Sequence, residues 1–370
     1  MRILIAPDKY KGSLGASDVA DCIAAGLREV LPFAEITCMP IADGGEGTAT
    51  AICSAAGGEW HSVEVHDAIS AFVRARYCTI EGGQTAVMEI SEACGLWRVP
   101  TGMRDPDRAS SFGAGELLLA AIRAGAKKII IGLGGSATND GGFGLARALG
   151  FRFLDANGRE LDGVVSGLVR LARIEPPKTA PFPAIIAAAD VRNPLLGPRC
   201  ATRVFGPQKG ADAARAALLE AALTRLAHVV ARDLGTDFRD QPGAGAAGGL
   251  GFGLLSFCAA SVRPGFDVVA EFIALEEAVR AADVVITGEG RLDAQTLEGK
   301  APAGVARLAR KFGKPVYAIA GAIEDSPGLR ELFDGVATLV TPGTTSDVAL
   351  AETGTLLRER ARELASRLPG

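Results

Sequence analysis

Arg2-Ile-Leu-Ile-Ala-Pro-Asp8 is one short apolar run cut off by a proline and an aspartate, and it decides how the fold is read. Behind it, Ser17 to Leu31 carries Val19, Ile23 and Leu27 on one helical face, which predicts a strand followed by a helix. Glu35 to Met39 reads as a second strand. The alternation returns at the other end: Asp283 to Thr287, Pro315 to Ala320 and Val336 to Val340 read as strands, Ala301 to Phe312 as a helix, and a long helix closes the chain. Strands alternating with helices in this way imply an α/β fold whose parallel sheet is covered on both faces.

The middle of the chain reads differently. Between Val63 and Ile90, Phe72-Val-Arg-Ala-Arg-Tyr77 alternates apolar and polar, the pattern of half-exposed antiparallel strands. A helix from about Gly113, strands at Lys128 to Leu133 and Ala184 to Ala189, and a helix from Ala211 to about Leu234 complete a second α/β domain. The division expected is residues 1–65 with 282–370 as one discontinuous domain and 66–281 as an insertion, with the active site in the cleft between them.

Composition narrows the function. With 22% charged residues and a net charge of −4, no basic field exists to gather nucleic acid or an anionic membrane surface. Seven cysteines lie scattered without a C-x-x-C pair and read as buried thiols of a reducing, cytoplasmic compartment. The three histidines offer no zinc spacing, and no stretch approaches the roughly 20 apolar residues that span a bilayer. A small-molecule partner is expected.

Polar residues collect where strands end: Asp8, Asp43, Asp190 and Glu289. Open α/β sheets bind ligands at that edge, although an aspartate there can also cap a helix or close a turn. The sharpest stretch is Gly132-Leu-Gly-Gly-Ser-Ala-Thr-Asn-Asp-Gly-Gly142, directly after the strand ending at Ile131. Its glycines would let backbone N–H groups converge on phosphate, and Ser136, Thr138 and Asn139 add donors; a purely structural tight turn is the plainer reading. Gly132-x-Gly134-x-x-Ala137 also fits a loose dinucleotide fingerprint with Asp155 as ribose ligand, but Asn139 to Gly142 would break the helix that such a turn must open. Gly243-x-Gly245-x-x-Gly248 fits too, without a strand before it. Lysines stand beside glycines at Lys11, Lys209 and Lys300, where a cation suits phosphate or carboxylate. Gly288-Glu-Gly-Arg-Leu-Asp293 sets two carboxylates and a guanidinium on one loop, groups suited to magnesium and to carboxylate recognition.

Taken in order, these stretches resemble the bacterial type-1 glycerate kinase family along essentially the whole chain. The matching motifs are Ala6 to Ser13, Ala42 to Thr48, Gly132 to Gly142, Asp190 to Leu195, Phe205 to Gly210, Gly243 to Gly249 and Ile286 to Asp293, followed by Gln295-Thr296. Cys200 departs from the pattern, standing where glycine is expected before Phe205. The resemblance implies a flavodoxin-like domain built from both chain ends, an inserted α/β domain, ATP with Mg2+ as donor, and glycerate as acceptor, 2-phosphoglycerate being favoured over 3-phosphoglycerate as product. A homodimer is left open.

Phosphoryl transfer requires charge neutralisation, alignment and a proton acceptor. Gly134, Gly135, Ser136, Thr138 and Asn139 are assigned to the nucleotide, and Asp43, Glu46 and Glu289 to the metal or its waters. Asp190 is the expected general base, Asp293 its competitor, and Lys11 and Arg291 are candidates for the glycerate carboxylate or the moving phosphoryl. Competing readings are an NAD-dependent oxidoreductase built on the Gly132 to Ala137 turn, and a sensor that keeps the nucleotide pocket without turnover.

Overall fold

The structure is a computed structural model that describes residues 1–178, 182–297, 300–324 and 327–369. It has two compact units: one of Met1–Asp43, Thr50–Ala55 and Phe266–Gly370, the other of Gly44–Ala49 and Ala56–Gly265. The strand Glu59–His66 therefore goes with the inserted unit, where it pairs with Phe72–Ile80, and the helix Leu275–Ala281 goes with the chain-end unit.

In the chain-end unit the strands, in chain order, are Arg2–Pro7, Glu35–Cys38, Val284–Leu292, Val316–Ile323 and Gly335–Thr338. Across the sheet they run second, first, third, fourth, fifth, all parallel. This is the flavodoxin-like, doubly wound order. Ile3, Leu4, Ile5 and Ala6 are all buried, because helices cover both sheet faces. One face takes the helices Ala16–Val30 and Thr353–Ala365, packed so closely that a methyl group at Gly26 would stand 2.2 Å from the Arg358 carbonyl oxygen. The helix Ala301–Lys311 also packs on this sheet.

The third of these strands runs on to Leu292, five residues beyond its expected end at Thr287, and pairs with its neighbour as far as Leu292 opposite Ile323. Glu289 and Arg291 thus sit on a strand, not on a loop. Gly288 and Gly321 allow it: a methyl group on either would stand 2.1 Å or 2.3 Å from a carbonyl oxygen of the adjoining strand.

Six strands make the inserted sheet, in the order Ser261–Pro264, Ala184–Ala189, Lys128–Gly132, Thr85–Glu89, Phe72–Ile80, Glu59–His66. The first four are parallel to one another and the last two antiparallel, as the alternation at Phe72 to Tyr77 predicts. The strand Ser261–Pro264 and the pair Arg152–Leu154 with Arg173–Glu175 are too short to carry a periodicity, and the sequence shows no sign of them. Ile129, Ile131, Leu117, Leu118, Phe143 and Phe252 build the core.

Asp155, the supposed ribose ligand, accepts from the N–H groups of Asn157 and Arg159 in a surface turn. The reading as buried thiols holds for Cys94, Cys200 and Cys258, while Cys22 and Cys38 are free but half-buried, and it fails for Cys53 and Cys78, which are disulfide-bonded. Cys200 adopts φ −68°, so the expected glycine is not required there. Among the described residues no helix is long and apolar enough to cross a membrane.

Candidate functional site

The glycine-rich turn of the inserted unit leaves the sheet at Gly132 and reaches the helix Phe143–Ala148 only eleven residues later. A dinucleotide turn opens its helix at once, so this stretch is of another kind. Asp140 explains the delay. Its buried carboxylate accepts from the N–H groups of Ser111, Gly142 and Gly144 and from the Ser111 hydroxyl, at 2.7–3.1 Å, and so gathers the orphan donors of the helix start.

Most glycines here serve backbone packing. A methyl group at Gly134 would stand 2.3 Å from the Gly45 α-carbon, one at Gly248 2.1 Å from the Thr138 carbonyl, one at Gly245 2.3 Å from the Pro194 carbonyl, and one at Gly142 2.7 Å from the Gly253 α-carbon. Three loops, around residues 138–142, 193–195 and 243–249, thus interlock through glycine. Gly135 differs: it is exposed, has φ +75°, and a methyl group on it would meet nothing closer than 3.6 Å. The N–H groups of Gly135 and Ser136 donate to no acceptor among the described residues.

The five nucleotide candidates separate accordingly. Gly134, Gly135 and Ser136 line the turn. Thr138 and Asn139 are buried beneath it, the Thr138 hydroxyl directed at the Ala247 carbonyl at 3.5 Å and the Asn139 amide paired with the Thr202 hydroxyl at 3.0 Å. Behind the turn stands Lys209, 4% exposed, donating to the Ser136 hydroxyl at 2.9 Å and to the Thr138 carbonyl at 2.7 Å. Burial pulls its ammonium down to about 8.

Gly44 to Gly47 is inlaid on the same sheet edge. A methyl group at Gly44 would stand 2.9 Å from the Ala188 carbonyl, and Gly134 donates its N–H to the Gly44 carbonyl at 3.3 Å. Glu89, at the end of the strand Thr85–Glu89, fixes this loop: one carboxylate oxygen accepts from the N–H groups of Gly47 and Ala49, at 3.0 and 2.9 Å. Glu46 is exposed on the loop so held. Asp190 is exposed directly after the adjoining strand Ala184–Ala189.

In the chain-end unit, carboxylates gather at the C-terminal ends of the central strands. Asp8 follows the first strand and donates its N–H to the Gly288 carbonyl at 2.8 Å. Burial pushes its carboxyl up to about 7, with Asp43 and Glu289 adding to the rise and Lys9 opposing it. Burial also raises Glu289, which accepts from the Thr296 hydroxyl at 2.7 Å. Lys300 lies 3.6 Å from Glu289 and 3.7 Å from Asp293, while its neighbour Gly299 is outside the described residues. Arg291 points to Glu324 at 3.1 Å and Asp293 at 3.9 Å. Lys11 is exposed in the Tyr10 to Leu14 turn, its backbone against Gly290.

This unit therefore brings Asp43, Glu289 and Asp293 together, with Arg291 beside Asp293 and the Lys11 backbone beside Gly290, and the inserted unit carries Glu46, the glycine turn and Asp190 at one sheet edge. Among the described residues no three His, Cys, Asp or Glu side chains converge tightly enough to hold a metal ion by themselves. The donors are oxygens with excess negative charge, which suits a hard cation that keeps waters and ligand oxygens. Sequence reasoning missed Glu89 and Asp140, whose roles depend on contacts 29 to 42 residues distant. Lys209 was legible as a lysine beside a glycine within the Phe205 to Gly210 motif, without its partners.

A doubly wound sheet with an α/β insertion, acidic strand ends and a glycine-rich turn has the build of a small-molecule phosphotransferase. The model of the glycerate kinase family matches residues 3–369. The chain is 42% identical to glycerate 2-kinase of Escherichia coli K12 over 100% of this chain and 98% of that one, and 41% identical to glycerate kinase of Bacillus subtilis 168 over 99% and 97%. A provisionally named glycerate kinase 2 from Salmonella typhimurium LT2, solved by crystallography, superposes with a TM-score of 0.86 at 44% identity, covering 99% of this chain and 98% of that one. The chain belongs to the glycerate kinase family and is a phosphotransferase.

Proposed function

We propose that this enzyme transfers the γ-phosphoryl group of ATP to a hydroxyl of D-glycerate and that 2-phosphoglycerate is the product. The observation that carries the choice of product is the 42% identity, over the full chain, to a protein named glycerate 2-kinase. A cytoplasmic location fits an enzyme that consumes ATP.

In this reading the N–H groups of Gly135 and Ser136 receive phosphate oxygens, with the ammonium of Lys209 behind them. Thr138 and Asn139, being buried, act on the nucleotide only through the shape of the turn. Magnesium carried in with the polyphosphate would neutralise its charge. Asp43, Glu46 and Glu289 are the candidates to hold that ion or its waters. Asp190, exposed after its strand, takes the proton of the glycerate hydroxyl, and Lys11 and Arg291 are the cations for the glycerate carboxylate.

One assay tests the whole reading: purified protein with ATP and magnesium is offered each glycerate enantiomer, and products are identified by phosphorus NMR. ADP together with 2-phosphoglycerate from the D-enantiomer alone, abolished by excess chelator, is expected. The 3-phosphate would overturn the product assignment, and no ADP with either enantiomer would overturn the reaction.

A further inference from the structure

We infer that Lys209 is a positioning residue for the phosphoryl donor, holding the Ser136 to Thr138 stretch in a shape that accepts a phosphate ester anion and lending it positive charge. The inference rests on the reading of this turn as the phosphate site. Lys209 Nζ bridges the Ser136 hydroxyl and the Thr138 carbonyl across Ala137, at 2.9 and 2.7 Å, and so ties both ends of that segment to one point.

That point is itself fixed. Lys209 ends the short 3-10 turn Pro207–Lys209, and Gly210 follows with φ +97°, where a methyl group would stand 2.5 Å from the Arg104 carbonyl. Arg104 in turn donates to the Gln208 carbonyl at 3.1 Å. The lysine backbone is thus clasped from both sides.

Both acceptors of the ammonium, the Ser136 hydroxyl and the Thr138 carbonyl, are neutral. The groups near enough to act on its charge are Cys94 and Asp140, and Asp140 is committed to the helix start. The hydrogen-bond partners of this buried cation are neutral and Asp140 offsets its charge without touching it, so an anion received at the turn would add direct compensation. The unspent N–H groups of Gly135 and Ser136 lie next to the bridged hydroxyl and mark where that anion is received. A solely structural lysine would need no such neighbours.

The test compares Lys209→Met, Ser136→Ala and the double variant with the wild type. Direct ATP affinity by calorimetry, KM for ATP and for glycerate, kcat and melting temperature are measured. Lys209→Met is expected to stay folded and to weaken ATP binding by about 10- to 100-fold, the range for losing charge-assisted contacts, with the glycerate KM within about twofold. Ser136→Ala is expected to weaken ATP by about 3- to 10-fold, and the double variant to be no worse than Lys209→Met, because the two residues act as one device. ATP affinity unchanged in folded Lys209→Met, or strictly additive losses, overturns the inference. If Lys209→Met does not fold, Ser136→Ala alone decides, and unaltered ATP affinity in it overturns the inference. Wild-type protein that binds ATP without phosphorylating glycerate would sink the proposed reaction and leave this inference standing, whereas wild type that binds no ATP sinks both.

Discussion

Gly134 packs against Gly45 so closely that a methyl group on residue 134 would stand 2.3 Å from the Gly45 α-carbon and 3.3 Å from its nitrogen. Both are backbone atoms with nowhere to go, so Gly134→Ala should destabilise the protein by about 3 kcal/mol or more through overpacking. Gly135→Ala meets open space and bears only the left-handed backbone, about 1–2 kcal/mol. Denaturant unfolding of the two variants should therefore rank them 134 well below 135, while ATP affinity per folded molecule should suffer more at 135. The reverse ranking would mean that Gly135, not Gly134, is the packing glycine.

Glu89 accepts two backbone N–H groups of the Gly44 to Ala49 segment through a single carboxylate oxygen. Glu89→Ala leaves the buried Ala49 N–H and the half-buried Gly47 N–H without it, an expected loss of about 2 kcal/mol. Glu89→Gln keeps a carbonyl oxygen in place and should restore much of that stability. Urea unfolding separates the pair, and equal losses would show that charge rather than acceptor geometry is what the segment requires.

Asp190→Asn should leave melting temperature and ATP affinity nearly unchanged, because the residue is exposed, yet lower kcat by about 10² to 10⁴-fold, the range for losing general-base assistance. Asparagine keeps the size and one acceptor but takes no proton near neutral pH. Unchanged turnover would transfer the base to Asp293, which Lys300 and Arg291 flank at 3.7 and 3.9 Å.

Lys209 gives a pH signature. Burial brings its ammonium down to about 8 from 10.5. Between those values the unfolded chain binds the proton that the native chain has released, so stability rises with pH there, while below about 8 both states are charged and the slope vanishes. Cys94 stays neutral through this window, its thiol pushed up by burial to about 12. The wild type should therefore gain about 3 kcal/mol on Lys209→Met between pH 8 and 10.5 and nothing between pH 6 and 7.5. Parallel unfolding curves across that range measure the difference, and a flat one would mean that the ammonium is not pressed by burial.

The strand and helix pattern at both chain ends and the antiparallel strands at Phe72 to Tyr77 were legible in the sequence. Periodicity is a local property: Ile3 to Ala6 is apolar throughout because both of its faces are covered, and Phe72 to Tyr77 alternates because one is not. The end of the strand at Leu292 was not legible, since Gly288 and Gly290 read as a loop until a neighbouring backbone lies against them. For the same reason the glycines of residues 132–142 and 243–249 looked alike in sequence, and only tertiary structure distinguished Gly135, open to a ligand, from Gly134, Gly142 and Gly248, closed by other loops. Thr138 and Asn139 have the chemistry of ligand donors, but burial gave their hydrogen bonds to the protein itself. Glu89, Asp140 and Lys209 acquired roles from partners 29 to 73 residues away, a long-range fact that no local spacing carries. Sequence fixes which groups a chain possesses, and packing decides which of them are already spent.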